Sequence, residues 1–402
     1  MNDFIKSSKS VVIISTQIWS DNWVSKHWIA VLLAKQGYKV FFIEPFRGIF
    51  FRGGRLRDLF FGPKIRKING VNIVSISTLP GYYRTSGIFR SFYKALMSLQ
   101  IKALNKLIDI NYHLLTFDGR SLPFIKKLSK PKTIGYYCVD PVSSGFERKY
   151  GEVELAHYVD INIAISDNCA DDMQKTLNIK QVSVLPHGML FSEDNSKKGE
   201  DLFKEIDNLS KGSKKLIGYT GSIHDTYVNF DYIYKAIKEF KNSYWIFVGP
   251  YKGSDIAEDS SNAIKPILNH KRTSFMGNRP AWELANYIKE FDICLIPYRN
   301  DILNGWERRS PVKILHYLRE GKPIVCADVP GVSAYKDLIY TYNTYEEFYR
   351  AMKSALSEKD DDPIIEKRIE FTKNREAEVI LKDLKSLLGI NSIKDFRVET
   401  SN

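Results

Sequence analysis

The 402 residues are too many for one ordinary hydrophobic core and suit two domains of nearly 200 each. A hydrophobic share of 44% with 26% charged residues is ordinary for a globular protein. No apolar run approaches the roughly 18–20 residues that cross a bilayer, and the first apolar stretch is too short for a signal peptide, so a spanning or exported chain is not expected. The net charge of +12 is uneven: residues 47–108 hold twelve Lys/Arg and one acid, Asp58, and the rest is close to balanced.

Along the chain, short β-rich apolar runs alternate with helical stretches, the pattern of parallel sheets with crossover helices. In the first half, strands are expected at residues 11–16, 39–44, 71–77, 113–117, 132–139, 161–165 and 182–185, with helices at 24–36, 87–109 and 167–177. A lysine-rich polar stretch, 192–215, reads as a linker. The alternation then restarts, with strands at 216–220, 244–248, 273–276, 293–297, 323–327 and 338–342. Helices are expected at 230–240, 281–290, 311–320 and 344–357, followed by one long helix over 365–388 and a polar tail after Gly389. The reading is α/β: a Rossmann-like domain at 1–190, a second at 191–369, and a C-terminal helix at about 370–389 that packs back on the first. Cys138, Cys169, Cys294 and Cys326 include no CxxC pair and read as buried free thiols, with neither a disulfide nor a metal site expected.

Three stretches of the second half carry a family likeness: IGYTGSI (217–223), SFMGNRPAWELANYIKEFDICLIPY (274–298) and SPVKILHYLREGKPIVC (310–326). In order and spacing they resemble the donor domain of GT-B glycosyltransferases. The first half is looser, with GYYCVDPVSSGF (135–146), AISDNCADDM and VLPHGM (184–189) resembling the acceptor domain and its exit. In character the chain is similar to bacterial exopolysaccharide and teichuronic-acid transferases, glucuronosyltransferases among them. The resemblance implies two doubly wound sheets facing across a cleft. It also implies a nucleotide-sugar donor, a UDP-sugar such as UDP-glucuronate, and an acceptor that is a lipid-linked saccharide or polysaccharide.

Each stretch also has a physical reading. Ser310 as N-cap and Pro311 at the first helical position start a helix, which places Lys313 in its first turn. Free N–H groups, a positive dipole end and a lysine suit a diphosphate; a solvated lysine at an ordinary helix start is the alternative. His316 lies on the same face, where many members of the family carry a ribose-binding glutamate; a half-buried helix histidine is the alternative. The family's glutamate pair is missing, since Arg308 stands eight residues before His316. Gly221 and Ser222 follow the first strand of the domain, where a turn without side chains admits phosphate. The resemblance places the nucleobase near Asn278 and Arg279. Tyr298 ends the next strand and could face the same pocket, with core packing as the alternative; Arg309 offers a second cation for the diphosphate or a sugar carboxylate, with a solvated charge cluster as the alternative.

An inverting transfer needs a group to take the proton of the acceptor hydroxyl. Asp140 closes the 132–139 strand and matches the catalytic aspartate that the resemblance implies; a turn-forming Asp–Pro is the alternative. The WSDNW loop (19–23) offers Asp21 and two indoles, which can stack on sugar faces or wedge into the domain core, and His187 sits at the domain exit. The expectation is a metal-independent enzyme without cofactor, inverting, at the cytoplasmic face of the cell membrane. The 47–108 basic region would bind anionic lipid, while no nucleic-acid motif appears. A sugar-nucleotide epimerase of the same fold and an inactive membrane scaffold stay open at this stage.

Overall fold

The computed structural model describes residues 10–20, 23–48, 62–78, 88–144, 149–190, 204–208, 210, 215–223, 228–251, 264–280, 283–300 and 311–390. The chain divides into two units, residues 1–188 with 377–402, and residues 189–376.

In the first unit the strands are β1 (Ser10–Ile14), β2 (Lys39–Ile43), β3 (Arg47–Gly48), β4 (Lys64–Ile68), β5 (Val71–Ser75), β6 (Ser77–Thr78), β7 (His113–Thr116), β8 (Thr133–Cys138), β9 (Ile161–Ala164) and β10 (Ser183–Val184). Eight of them form one sheet in the order β10-β9-β8-β7-β1-β2-β5-β4, and β3 pairs with β6 apart from it. All pairs in the large sheet are parallel except β4 on β5. Strands covered on both faces need continuous apolar runs, and β1, SVVII, is buried at every residue. The sequence reading missed β4, KIRKI, inside the basic region. It is an edge strand exposed over Lys64–Lys67, where lysine and arginine discourage pairing with another chain.

The expected helix over 87–109 runs from Ile88 to Asn105. It buries Leu96, Met97, Ile101 and Leu104, and the Gln100 amide bonds both the N–H and the C=O of Ser77. This part of the apolar face is therefore used in the protein's own core. Leu99 and Leu107 stay exposed beside Lys102 and Lys106.

The second unit has a six-stranded sheet of β11 (Lys215–Thr220), β12 (Ser243–Val248), β13 (Thr273–Phe275), β14 (Ile293–Ile296), β15 (Ile324–Ala327) and β16 (Tyr340–Tyr342). The order is β13-β12-β11-β14-β15-β16, all parallel. This is the doubly wound order whose switch point falls between its first and fourth strands, β11 and β14, and ligands bind there beyond the carboxyl ends. The motif residues of this unit include structural ones. A methyl group on Gly218 would come within 1.9 Å of the Phe291 ring. Asp292 accepts from the Leu216 N–H at 2.7 Å and from Lys215 Nζ at 2.8 Å, which ties the starts of β11 and β14 together.

The single long helix expected over 365–388 is two helices, Pro363–Lys373 and Ala377–Leu388. Between them, Met189 bridges to Glu376, and the Met189 N–H donates to the Arg375 carbonyl. Residues 372–376, TKNRE, are all polar, and Asn374 caps the first of the two helices. Ala377–Leu388 packs in the first unit, where Leu388 lies over Gly135 and Ile380 against Gly188. Pro363–Lys373 belongs to the second unit and carries the fully buried Arg368. Its guanidinium meets both oxygens of Glu358, at 2.7 and 2.6 Å, and donates to the carbonyls of Leu338 and Gly321. Arg368→Ala would leave Glu358 charged without its partner, with an expected cost of about 3–5 kcal/mol in urea unfolding.

Candidate active site

At the switch point of the second unit, β11 runs into Gly221, whose φ of +128° suits glycine. The Gly221 N–H donates to the Val248 carbonyl, and the Gly249 N–H donates to the carbonyl of Gly277. Three glycines thus stand just beyond the carboxyl ends of the adjacent strands β11, β12 and β13. Gly249 has φ +149°, and a β-carbon there would sit 1.9 Å from the Gly221 oxygen. Sequence reading found Gly221 and missed the other two, because only sheet order makes them neighbours. Gly249→Ala is expected to cost about 1–3 kcal/mol by overpacking, measured by urea unfolding.

Lys313 closes this edge. Its ammonium lies 2.5 Å from where a Gly221 β-carbon would be, 4.1 Å from the Tyr219 ring centre and 5.7 Å from that of Tyr298. No carboxylate among the described residues pairs with it. Burial lowers its pKa to about 7, with the Cys326 thiol opposing the shift. The helix starts at Lys313 itself, with Val312 as its cap residue, two positions later than Pro311 suggested, and it ends at Arg319. Ser310 and Arg309, like Asp21, lie outside the described residues. The lysine is held by β11, where the Tyr317 hydroxyl accepts from the Thr220 N–H at 2.8 Å and lies 3.0 Å from its hydroxyl oxygen. Tyr219 donates to the Ser222 carbonyl at 2.7 Å, fixing the turn.

His316 is half-buried on the same helix, and burial lowers its pKa to about 4, so at neutral pH it offers a neutral donor and acceptor. Ser222 and Asn278 are exposed; Tyr298 and Arg279 are partly buried. Arg279 lies over the Tyr287 ring, and its Nε is buried without a hydrogen-bond partner.

In the first unit, Asp140 stands two residues beyond β8 and is half-buried; the Cys138 thiol donates to its carbonyl at 3.0 Å. His187 is buried, with Nδ1 3.1 Å from the Ser25 hydroxyl. All four cysteines are free and buried. Among the described residues, no three His, Cys, Asp or Glu side chains converge as a metal site would require, and no helix is long and apolar enough to cross a membrane.

Residues 214–358 match the family model of group 1 glycosyl transferases. Over the whole chain the fold is similar to an α,α-trehalose-phosphate synthase (UDP-forming) from Burkholderia vietnamiensis, with a TM-score of 0.70, 12% identity, and 96% of this chain and 100% of that one covered. It is also similar to a trehalose-6-phosphate structure from E. coli with UDP-2-fluoro glucose bound, with a TM-score of 0.69, 11% identity, and 94% and 98% covered. The chain is a glycosyltransferase of the GT-B fold. By sequence it is similar to a Bacillus subtilis (strain 168) protein named as a teichuronic acid biosynthesis glycosyltransferase, TuaH, at 22% identity over 68% of this chain and 71% of that one.

Proposed function

We propose that the protein moves a sugar from a UDP-sugar to a lipid-linked or polysaccharide acceptor in bacterial cell-surface polysaccharide assembly. The observation that carries this reading is the meeting of Lys313 with the Gly221 turn at the switch point. There, an ammonium with no carboxylate partner among the described residues stands over backbone that has no side chain to block a diphosphate. The UDP-forming and UDP-sugar-bound relatives of the fold support the nucleobase, and the likeness to TuaH supports the acceptor class.

In this reading Lys313 neutralises charge on the leaving diphosphate, neutral His316 bonds a ribose hydroxyl, and Asn278 and Arg279 flank the base. Asp140 takes the acceptor proton in an inverting step that needs no metal. Arg309 adds a second cation. The basic 47–108 region holds the protein to anionic lipid at the inner face of the membrane, and liposome co-sedimentation tests this; indifference to anionic vesicles ends that part. The donor reading is tested by thermal shift against UDP, GDP and dTDP sugars. A UDP-sugar at about 100 times its Kd should add roughly 2.7 kcal/mol. Equal indifference to all three would refute the donor site.

A further inference from the structure

The chain that leaves β1 in the first unit is pinned at many points. Ser15 forms a tight turn, donating its hydroxyl to the Gln17 carbonyl at 2.7 Å and accepting from the Gln17 N–H at 2.9 Å. Lys26 Nζ donates to the Thr16 hydroxyl at 2.6 Å. His27, fully buried, spans the loop base: Nδ1 accepts from the Val24 N–H at 3.2 Å, and Nε2 lies 3.1 Å from the Ile18 carbonyl. Because Nδ1 accepts, Nε2 carries the proton and donates to Ile18.

A buried carboxylate completes the clamp. Glu44 follows β2 and is 1% exposed. Its Oε1 accepts from the Trp19 N–H at 3.0 Å and from the Arg66 guanidinium at 2.9 Å, and its Oε2 accepts from the Ser75 hydroxyl at 2.5 Å. Arg66, one of the excess cations of the basic region, is thus engaged inside the unit. The loop presents two half-buried indoles, Trp19 and Trp23, edge to face with centres 6.1 Å apart. Trp19 also meets Phe42 at 5.0 Å and His27 at 5.4 Å.

A buried carboxylate is expensive unless several donors satisfy it. This one has at least three, and one of them is the amide of a loop tryptophan just beyond the sheet's carboxyl edge, the edge on which ligands bind. Indole is a rigid apolar surface with a polar handle, suited to the C–H face of a sugar ring.

We infer that Trp19 and Trp23 form a saccharide-binding platform and that Glu44 is the positioning residue that fixes it through the Trp19 amide. The inference rests on the transferase reading, which needs a saccharide acceptor, and it adds where that saccharide binds.

The test is fluorine NMR of full-length protein grown with 5-fluorotryptophan, which gives six resonances from six tryptophans. Trp19→Phe and Trp23→Phe assign two of them. The probes are cellotetraose, chitotetraose and a hyaluronan tetrasaccharide, which cover neutral, N-acetylated and acidic sugars. At least one should move the Trp19 and Trp23 signals more than the other four. Trp23→Leu should weaken that binding about tenfold. Glu44→Leu should do the same, while Glu44→Gln, which keeps an oxygen for the Trp19 N–H, should stay within about threefold. Ser75→Ala, a milder change, should weaken it by an intermediate factor if Glu44→Leu does not fold. The platform is refuted if no probe at about 10 mM, above a weak millimolar Kd, moves either signal, or if Trp23→Leu binds as tightly as wild type. The Glu44 role is refuted if Glu44→Leu, or Ser75→Ala in its place, binds as wild type does. The thermal response to UDP is read in parallel. If it is absent in wild type, the donor reading fails; if it is present while the indoles stay silent, only the platform fails.

Discussion

Lys313→Met is expected to raise the thermal stability of the unliganded protein while removing its response to UDP-sugars. The wild-type ammonium sits among Tyr219, Tyr298 and the Gly221 turn, and no carboxylate among the described residues pairs with it. Burial without a counter-charge disfavours the charged form, and an apolar side chain of similar length removes that cost. The size of the gain depends on pH. Unfolded, the lysine holds its proton up to the ordinary 10.5; folded, it releases it near 7. Between these values the unfolded chain binds more protons, so wild-type stability falls as pH drops from 10.5 and the penalty is complete below about 7. The gain from Lys313→Met is therefore largest at neutral pH and below, and it vanishes toward pH 10.5.

Binding runs the other way. A diphosphate diester keeps its negative charge across this range and draws a proton onto Lys313. Wild-type affinity for UDP-glucose or UDP-glucuronate should be flat below pH 7 and fall by up to about tenfold per pH unit above it. Calorimetry in buffers of different ionisation enthalpy at pH 8 should show proton uptake in wild type and none in Lys313→Met. A variant that still binds UDP-sugar as wild type does would move the diphosphate away from Lys313.

Asp140→Asn is expected to lower kcat by about 10²–10⁴, the usual contribution of a general base, while the thermal response to UDP-sugar stays intact. The amide keeps the shape of the carboxylate and removes its basicity. The side chain belongs to the carboxyl end of β8, whose six residues, TIGYYC, are all buried except the first, so the backbone that presents it is rigid. Asp167→Ala is the control. That residue is exposed at the start of the helix Asp167–Leu177, and its loss should leave turnover unchanged. Full activity in Asp140→Asn would assign the base elsewhere.

Much of this architecture is written locally. Strands buried on both faces must be continuously apolar, so β1, β2, β12 and β14 stand out within a residue or two of their ends. The helices Asp167–Leu177 and Tyr345–Leu356 announce themselves by Ser166 and Thr344, whose hydroxyls accept from N–H groups of the first turn. The strand β4 was hidden because an exposed edge strand such as KIRKI carries the charge pattern of a solvated loop. Of the site, Lys313, Gly221 and Asp140 could be singled out from motif and position, whereas Glu44 and His27 could not. Their role depends on partners 25 and 9 residues away that only the fold brings close.

The sequence alone determined two largely parallel α/β sheets, the chain order of their apolar strands and the residue types at the ends of those strands, because hydrophobic period and capping are properties of neighbours in sequence. The tertiary structure decided which strand ends are adjacent, so that Gly221, Gly249 and Gly277 lie side by side. It also placed Met189 against the break between the last two helices, at residues 374–376. And it left Lys313 desolvated, beside the rings of Tyr219 and Tyr298, which lie far from it in the chain.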